Sequence, residues 1–144
     1  MTDWDAYFMD LAEKVASRSK DPSTKVGCVV VTEDRVIATT GYNGLPRGVG
    51  DLPERMARPA KYLWTAHAEC NAVAQAARVG ARLKNGTAYV THEPCARCAQ
   101  MLVQAGIIKV VIGPGKTSMP AEEFEVSRIM LAEAGVEKIL KKSV

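Results

Sequence analysis

The 144-residue chain is poor in the residues that announce many functions: it has 2 His, 2 Trp and 2 Phe, and aromatic residues make up only 6% of it. Sparse aromatics argue against a surface that stacks successive nucleic-acid bases. Apolar runs are short as well. None reaches the roughly 18 residues that span a bilayer, and no leader-like apolar stretch follows Met1, so a soluble cytoplasmic protein without a membrane partner is expected. Net charge is nearly absent. With 19 Lys+Arg against 16 Asp+Glu the balance is +3, too mild for a polyanion-seeking surface but no obstacle to a phosphorylated small molecule. Repeats and low-complexity tracts are also missing, so one domain over residues 1–144 is expected, long enough to bury a core.

What the chain does have is a set of groups suited to a metal. Of its 4 cysteines, Cys95 and Cys98 lie in Pro94-Cys95-Ala96-Arg97-Cys98, some way after His67-Ala68-Glu69. Cys28 and Cys70 have no spacing that demands a disulfide and read as core filling. A CxxC alone could be a redox pair or half of a structural knuckle. A knuckle would need a fourth strong ligand beside the first pair, and a redox pair would not need His-x-Glu. One imidazole and two thiolates hold Zn²⁺ with a position left open for water, whose pKa then falls to roughly 7. Glu69 is the non-ligand acid placed to move protons there.

Periodicity gives the frame. Trp4, Tyr7, Phe8, Leu11, Ala12 and Val15 recur at helical spacing and predict an amphipathic helix from Thr2 to Ser19. Lys20-Asp21-Pro22-Ser23 breaks it, and Val26 to Thr32 with Val36 to Thr40 reads as a hairpin turning at Glu33-Asp34. Gly41 to Lys61, punctuated by Pro46, Gly48, Gly50, Pro53 and Pro59, reads as a long irregular loop expected to wall an active site. Helices over His67 to Val79, Cys95 to Ala105 and Glu122 to Ala134 then alternate with strands over Thr87 to Thr91, Ile108 to Ile112 and Val136 to Leu140. That alternation predicts an α/β fold with a largely parallel sheet after the hairpin, and only Lys141 to Val144 are expected to be loose.

Cys95 and Cys98 are three apart at a helix start, where both sulfurs can face one ion and the helix's positive end favours thiolates. His67 and Glu69 are two apart, and such residues share no helix face. They serve one site only if His67 lies in the irregular first turn. Both segments should lie beyond strand ends. Gly113-Pro114-Gly115-Lys116-Thr117 sits where a phosphate loop would, but the glycine required five residues before Gly115 is Val110, so that reading is set aside. His92 reads as a hydrogen-bonded structural residue rather than a ligand.

On these residues the chain resembles the cytidine/deoxycytidylate deaminase superfamily. The general likeness lies in His67-Ala68-Glu69 and Pro94 to Cys98; the narrower likeness to deoxycytidylate (dCMP) deaminases lies in Asp21 to Gly27 and in Gly41-Tyr42-Asn43-Gly44-Leu45-Pro46-Arg47-Gly48. It implies a three-layer α/β/α sandwich around a five-stranded mixed sheet, one Zn²⁺ per chain on His67, Cys95 and Cys98, and Glu69 as the proton shuttle. The implied reaction is hydrolysis of dCMP to dUMP and ammonia, supplying dUMP for dTMP synthesis. Asn43 is the family-like contact to the sugar, and backbone N–H groups near Ala68 would hold the ring O2. Arg78, at a family-like spacing after the His-x-Glu helix, is the first choice for the phosphate, followed by Lys25, Arg47 and Lys61. Tyr42, Tyr62 and Trp64 are candidates to stack on the base. Members are often hexamers regulated by dCTP and dTTP, so a homo-oligomer is implied, although Val49-Gly50-Asp51 departs from the usual continuation of the regulatory segment.

Relatives with the same zinc set deaminate nucleosides, free bases such as cytosine or guanine, or tRNA adenosine. Mild charge and few aromatics argue against tRNA and other nucleic-acid partners. The longer cysteine segment of riboflavin-pathway deaminases is absent. A non-catalytic, zinc-stabilised binding subunit is the alternative from another class, and Glu69 argues against it because a structural site has no use for a free carboxylate.

Overall fold

The structure is a computed structural model that describes residues 3–141. Helix α1 (Trp4–Ala16) begins where the Asp3 carboxylate accepts the N–H of Asp5 at 2.9 Å and that of Ala6, and it ends short of the expected Ser19. Thr2 and residues 142–144, on which part of the expectation fell, lie outside the described residues. Strands β1 (Gly27–Val31) and β2 (Ile37–Tyr42) form the expected antiparallel hairpin. The stretch expected to be irregular, Gly41 to Lys61, contains one short helix, α2 (Pro53–Met56), and runs at Lys61 into a second, α3 (Lys61–Trp64). Pro53 in the first turn of α2 is a start signal the sequence did carry.

Beyond them the alternation is as expected: α4 (Ala68–Val79), β3 (Thr87–His92), α5 (Ala96–Gln104), β4 (Lys109–Gly115), α6 (Ala121–Glu133) and β5 (Glu137–Leu140). Strand β4 runs past the expected Ile112 because His92 still pairs with Gly115, so the glycines of the rejected phosphate loop are strand. The sheet order is β2-β1-β3-β4-β5. β1 is antiparallel to both neighbours and the other pairings are parallel, so β1 alone opposes the remaining strands.

Alternation along the strands divides the core into two. Cys28, Val30, Ala88, Val90, Val110 and Ile112 face the layer of α4, α5 and α6, where Ala72, Leu102 and Leu131 meet them. Val29, Val31, Tyr89 and Val111 face α1, against Phe8, Met9 and Ala12. The result is the expected α/β/α sandwich with a five-stranded mixed sheet.

Two features fix where α4 begins. Gly41 lies so close under the helix that a Cβ there would stand 2.4 Å from the Ala68 carbonyl oxygen and the Ala72 nitrogen. An isolated bridge then joins Gly44 and Ala66 through N–H to carbonyl bonds of 3.1 and 2.9 Å, returning the chain to the end of β2 just before α4. Gly41→Ala is therefore expected to cost about 1–3 kcal/mol, the range for overpacking against backbone, seen as a lower urea midpoint at unchanged slope. Gly44→Ala, whose nearest neighbour would be 3.9 Å away, is the comparison and should unfold close to the parent.

Candidate active site

β2 and β3 point the same way, and the Gly44–Ala66 bridge returns the chain to the end of β2 before α4, so α4 and α5 start at the same end of the sheet. His67 is the N-cap of α4 and Cys95 the N-cap of α5, both extended at ψ 159 and 173, and neither side chain caps its helix. They face each other instead. His67 Nδ1 lies 3.4 Å from Cys95 Sγ and 3.3 Å from Cys98 Sγ, and the three ligand atoms fall within 4.8 Å of one another. Cys95 and Cys98 are thus N-cap and N3 of one helix, neighbours by capping geometry. The N-cap position of His67 also removes the objection that i and i+2 share no face, since His67 stands outside the helix that carries Glu69. The Ala96 N–H at the start of α5 is taken by the Glu123 carboxylate of α6 at 3.3 Å.

The donor set fits zinc. Zn–S of about 2.3 Å and Zn–N of about 2.0 Å at a tetrahedral angle place sulfur and nitrogen about 3.5 Å apart, close to the spacing found here. The electrostatics agree. Hydrogen bonding to Cys95 lifts the His67 imidazole, while hydrogen bonding to Cys98 and His67 draws the Cys95 thiol down to about 4. Cys98, hydrogen-bonded to Cys70 and Cys95, is driven up. Adjacent sulfurs compete to ionise, and a divalent cation between them ends that competition. Cys70, expected to be core filling, is half-buried with its sulfur 4.0 Å from Cys98 Sγ, whereas Cys28 is fully buried.

The metal group borders a cavity of about 330 Å³ whose lining includes His67, Ala68, Glu69, Cys95 and Asn43. Glu69 is 4% exposed and makes no salt bridge among the described residues. Burial pushes its carboxyl up to about 7, against its own backbone N–H and the His67 charge. Such an acid can both take and give a proton near neutrality. Asn43 is held by its amide: Oδ1 accepts the Val26 N–H at 2.8 Å and Nδ2 donates to the Thr24 carbonyl at 2.9 Å. His92 also borders the cavity, with Nδ1 2.7 Å from the Thr91 hydroxyl, and stays outside the metal group.

Of the cations expected near a phosphate, Arg78, Lys25 and Arg47 do not line this cavity. Arg78 sits in the last turn of α4, roughly 16 Å along the helix from His67 at 1.5 Å per residue. Lys25 is exposed. Arg47 donates to Gln75 at 2.5 Å and borders a second cavity of about 390 Å³ together with Tyr42. Lys61 does line the site, but its ammonium is 3.1 and 3.3 Å from the two carboxylate oxygens of Asp21, with both residues buried. Trp64 lies under the Arg55 guanidinium, 4.1 Å from its ring centre. Sequence reasoning assigned no role to Asp21 or Arg58, both of which line the cavity. Asp21 had a signal in the Asp-Pro-Ser-Thr turn, whose Ser23 and Thr24 N–H groups it accepts at 2.8 and 3.0 Å.

An α/β/α sandwich with a His/Cys/Cys group beside a buried free acid defines the cytidine deaminase class of fold. The chain belongs to the cytidine and deoxycytidylate deaminase family: residues 2–114 match that family's zinc-binding region. It is 43% identical over 138 residues to an uncharacterized deaminase in the luxG 3' region of Aliivibrio fischeri, covering 93% of this chain and 90% of that one. It is 39% identical over 141 residues to the deoxycytidylate deaminase of Mus musculus, covering 93% and 77%. Among solved structures, the dCMP deaminase of cyanophage S-TIM5 in complex with dCMP and dUMP matches with a TM-score of 0.73 at 28% identity, covering 96% of this chain and 95% of that one.

The Asp21–Lys61 pair yields a prediction. Burial raises the Asp21 carboxyl, but the Thr24 and Ser23 N–H groups and Lys61 outweigh it, and the net shift is below the ordinary 3.8. A depressed folded-state pKa contributes stability that is present above the unfolded value and lost as pH falls through the folded one. Asp21→Ala strands a buried ammonium and should cost about 3–5 kcal/mol at pH 7. Urea midpoints from pH 7 down to 3 should show a shallower acid decline in the variant than in the parent.

Proposed function

We propose that the chain deaminates dCMP to dUMP and ammonia, supplying dUMP for dTMP synthesis. The observation that carries this reading is the buried Glu69, without an ion-pair partner among the described residues, in a cavity that His67 and Cys95 also line, with Cys98 buried beside them in the same metal-ligating group. In this reading those three residues hold one Zn²⁺. When bound, the ion supplies Lewis-acid activation of water at neutral pH. Glu69 accepts a proton from the attacking water and delivers it to ring N3 as the water oxygen bonds to C4. It then carries the second water proton to the amine, which leaves as ammonia as the C4–N bond breaks. Water adds across one bond, ammonia departs from the same carbon, and Glu69 ends as it began. The Ala68 N–H at the start of α4 holds the ring O2, where negative charge grows during attack. Asn43, clamped by the Thr24 and Val26 backbone just ahead of β1, presents its remaining amide capacity to the sugar.

The likeness to deoxycytidylate deaminases over nearly the whole chain supports the nucleotide substrate, and the cavity is of a size for one nucleotide. The same reading takes the protein to be a cytoplasmic homo-oligomer. Free thiols suit a reducing compartment, and Leu63 and Val79 turn apolar side chains to solvent.

Ammonia release from dCMP, CMP, dCTP, deoxycytidine, cytosine, guanine and tRNA tests the substrate, with dCMP expected to be used most efficiently. A best rate on a free base or tRNA would replace the reading. Replacing His67, Cys95 or Cys98 with Ala should remove zinc in metal analysis and lower stability, because metal binding is coupled to folding. Glu69→Gln should keep the metal and the fold and slow deamination by about two to four powers of ten. Turnover near the parent rate would discharge Glu69 from its role.

A further inference from the structure

A nucleotide needs a cation that is not already engaged, and charge accounting around the cavity singles one out. The carboxylates of Asp21 and Glu93 line it, yet the first is neutralised by Lys61 and the second by the Arg128 fork at 2.7 Å on both oxygens. Lys61 is spent on Asp21. Two charges remain without an ion-pair partner among the described residues lining the cavity: Glu69 at its buried floor and Arg58 at its exposed rim.

Arg58 is also held in place. Its Nε donates to the Tyr62 hydroxyl at 2.7 Å, and one terminal nitrogen reaches the Ser118 hydroxyl at 3.4 Å, on the segment that follows β4. An arginine has five N–H donors, so most of the fork is still open. Beside it, Thr117 lines the cavity with a buried hydroxyl that has no partner among the described residues. Two segments far apart in sequence thus bring a guanidinium and the hydroxyls of Tyr62 and Ser118 to one rim, with the unpartnered Thr117 hydroxyl buried in the same wall. A phosphate monoester dianion matches that set: it accepts from the fork in bidentate fashion and takes the hydroxyl donors at the same time.

We infer that Arg58, oriented by Tyr62 and Ser118 and joined by Thr117, is the phosphate-binding group that distinguishes nucleotide from nucleoside, in place of Arg78, Lys25 or Arg47. This rests on the proposed reaction at the same site. The floor of the cavity handles the amine end of the base and the rim holds the phosphate. The phosphate wall and the catalytic acid lie on different segments.

The test compares parent, Arg58→Gln and Arg78→Gln, using purified zinc-loaded protein. Two quantities are read: the kcat/KM ratio of dCMP to deoxycytidine, and the Kd ratio of deoxyuridine to dUMP by calorimetry, which requires no turnover. Arg58→Gln should lower both ratios by about tenfold to a hundredfold, with the kinetic loss in KM, while Arg78→Gln keeps the parent ratios. A parent that prefers dCMP, with that preference intact in Arg58→Gln, overturns this inference and leaves the reaction standing. Loss of the preference in Arg78→Gln overturns it too. A parent with no preference for dCMP defeats the monophosphate reading itself and the phosphate wall with it.

Discussion

Two helix N-termini have to meet, and the rest of the structure is arranged so that they do. His67 and Cys95 can approach within 3.4 Å only because β2 and β3 run parallel on either side of the opposed β1 and release their chains at one edge. Gly41 lets α4 lie directly on β2, and the Gly44–Ala66 bridge returns the chain to that spot. A residue with a side chain at Gly41 or a slip in the bridge would displace the imidazole by the fraction of an ångström that metal coordination does not tolerate. Packing of a small residue, rather than any property of the ligands, sets the accuracy of the site.

Electrostatics then separates residues that burial alone would treat alike. Asp21 and Glu69 are each 4% exposed, yet one carboxyl is held below its ordinary range and the other rises to about 7. The difference is company. Asp21 accepts two backbone N–H groups and faces an ammonium, which makes it a fastening between the turn before β1 and α3. Glu69 faces the cavity with no cation paired to it, and the cost of burying its charge becomes readiness to carry a proton. Sequence types do not reveal this difference; partners do.

Periodic elements were legible because their signals are local. The helix ending at Val79, the strand at Thr87, the alternation beyond it and the hairpin all follow from apolar spacing, and the metal triad follows from ligand chemistry at two helix starts. Boundaries moved where a local rule met a tertiary one, as when pairing with His92 prolonged β4 to Gly115. The proposed phosphate contact depends on long-range return. Arg78 had a recognisable spacing, but a helix carries its last turn away from whatever its first turn builds. Arg58 lies in a stretch whose prolines and glycines announce a loop without saying where it goes, and Ser118, which it reaches, lies sixty residues further along the chain. Asp21 stands in a recognisable turn motif, but its ion pair with Lys61 spans forty residues and leaves no trace in either segment.

The Gly44–Ala66 bridge has a further consequence. By closing the chain on itself, it makes the stretch between those residues an excursion whose two ends are fixed to the frame and to each other. Arg58, Lys61 and Tyr62 all ride on it, while Glu69, Cys95 and Cys98 do not. Length and composition inside the excursion can therefore drift with little effect on the bond-breaking apparatus, since closing a longer loop costs only a slowly growing entropy. A change confined to this segment therefore alters what meets the cavity rim without moving the two fixed ends between which it hangs.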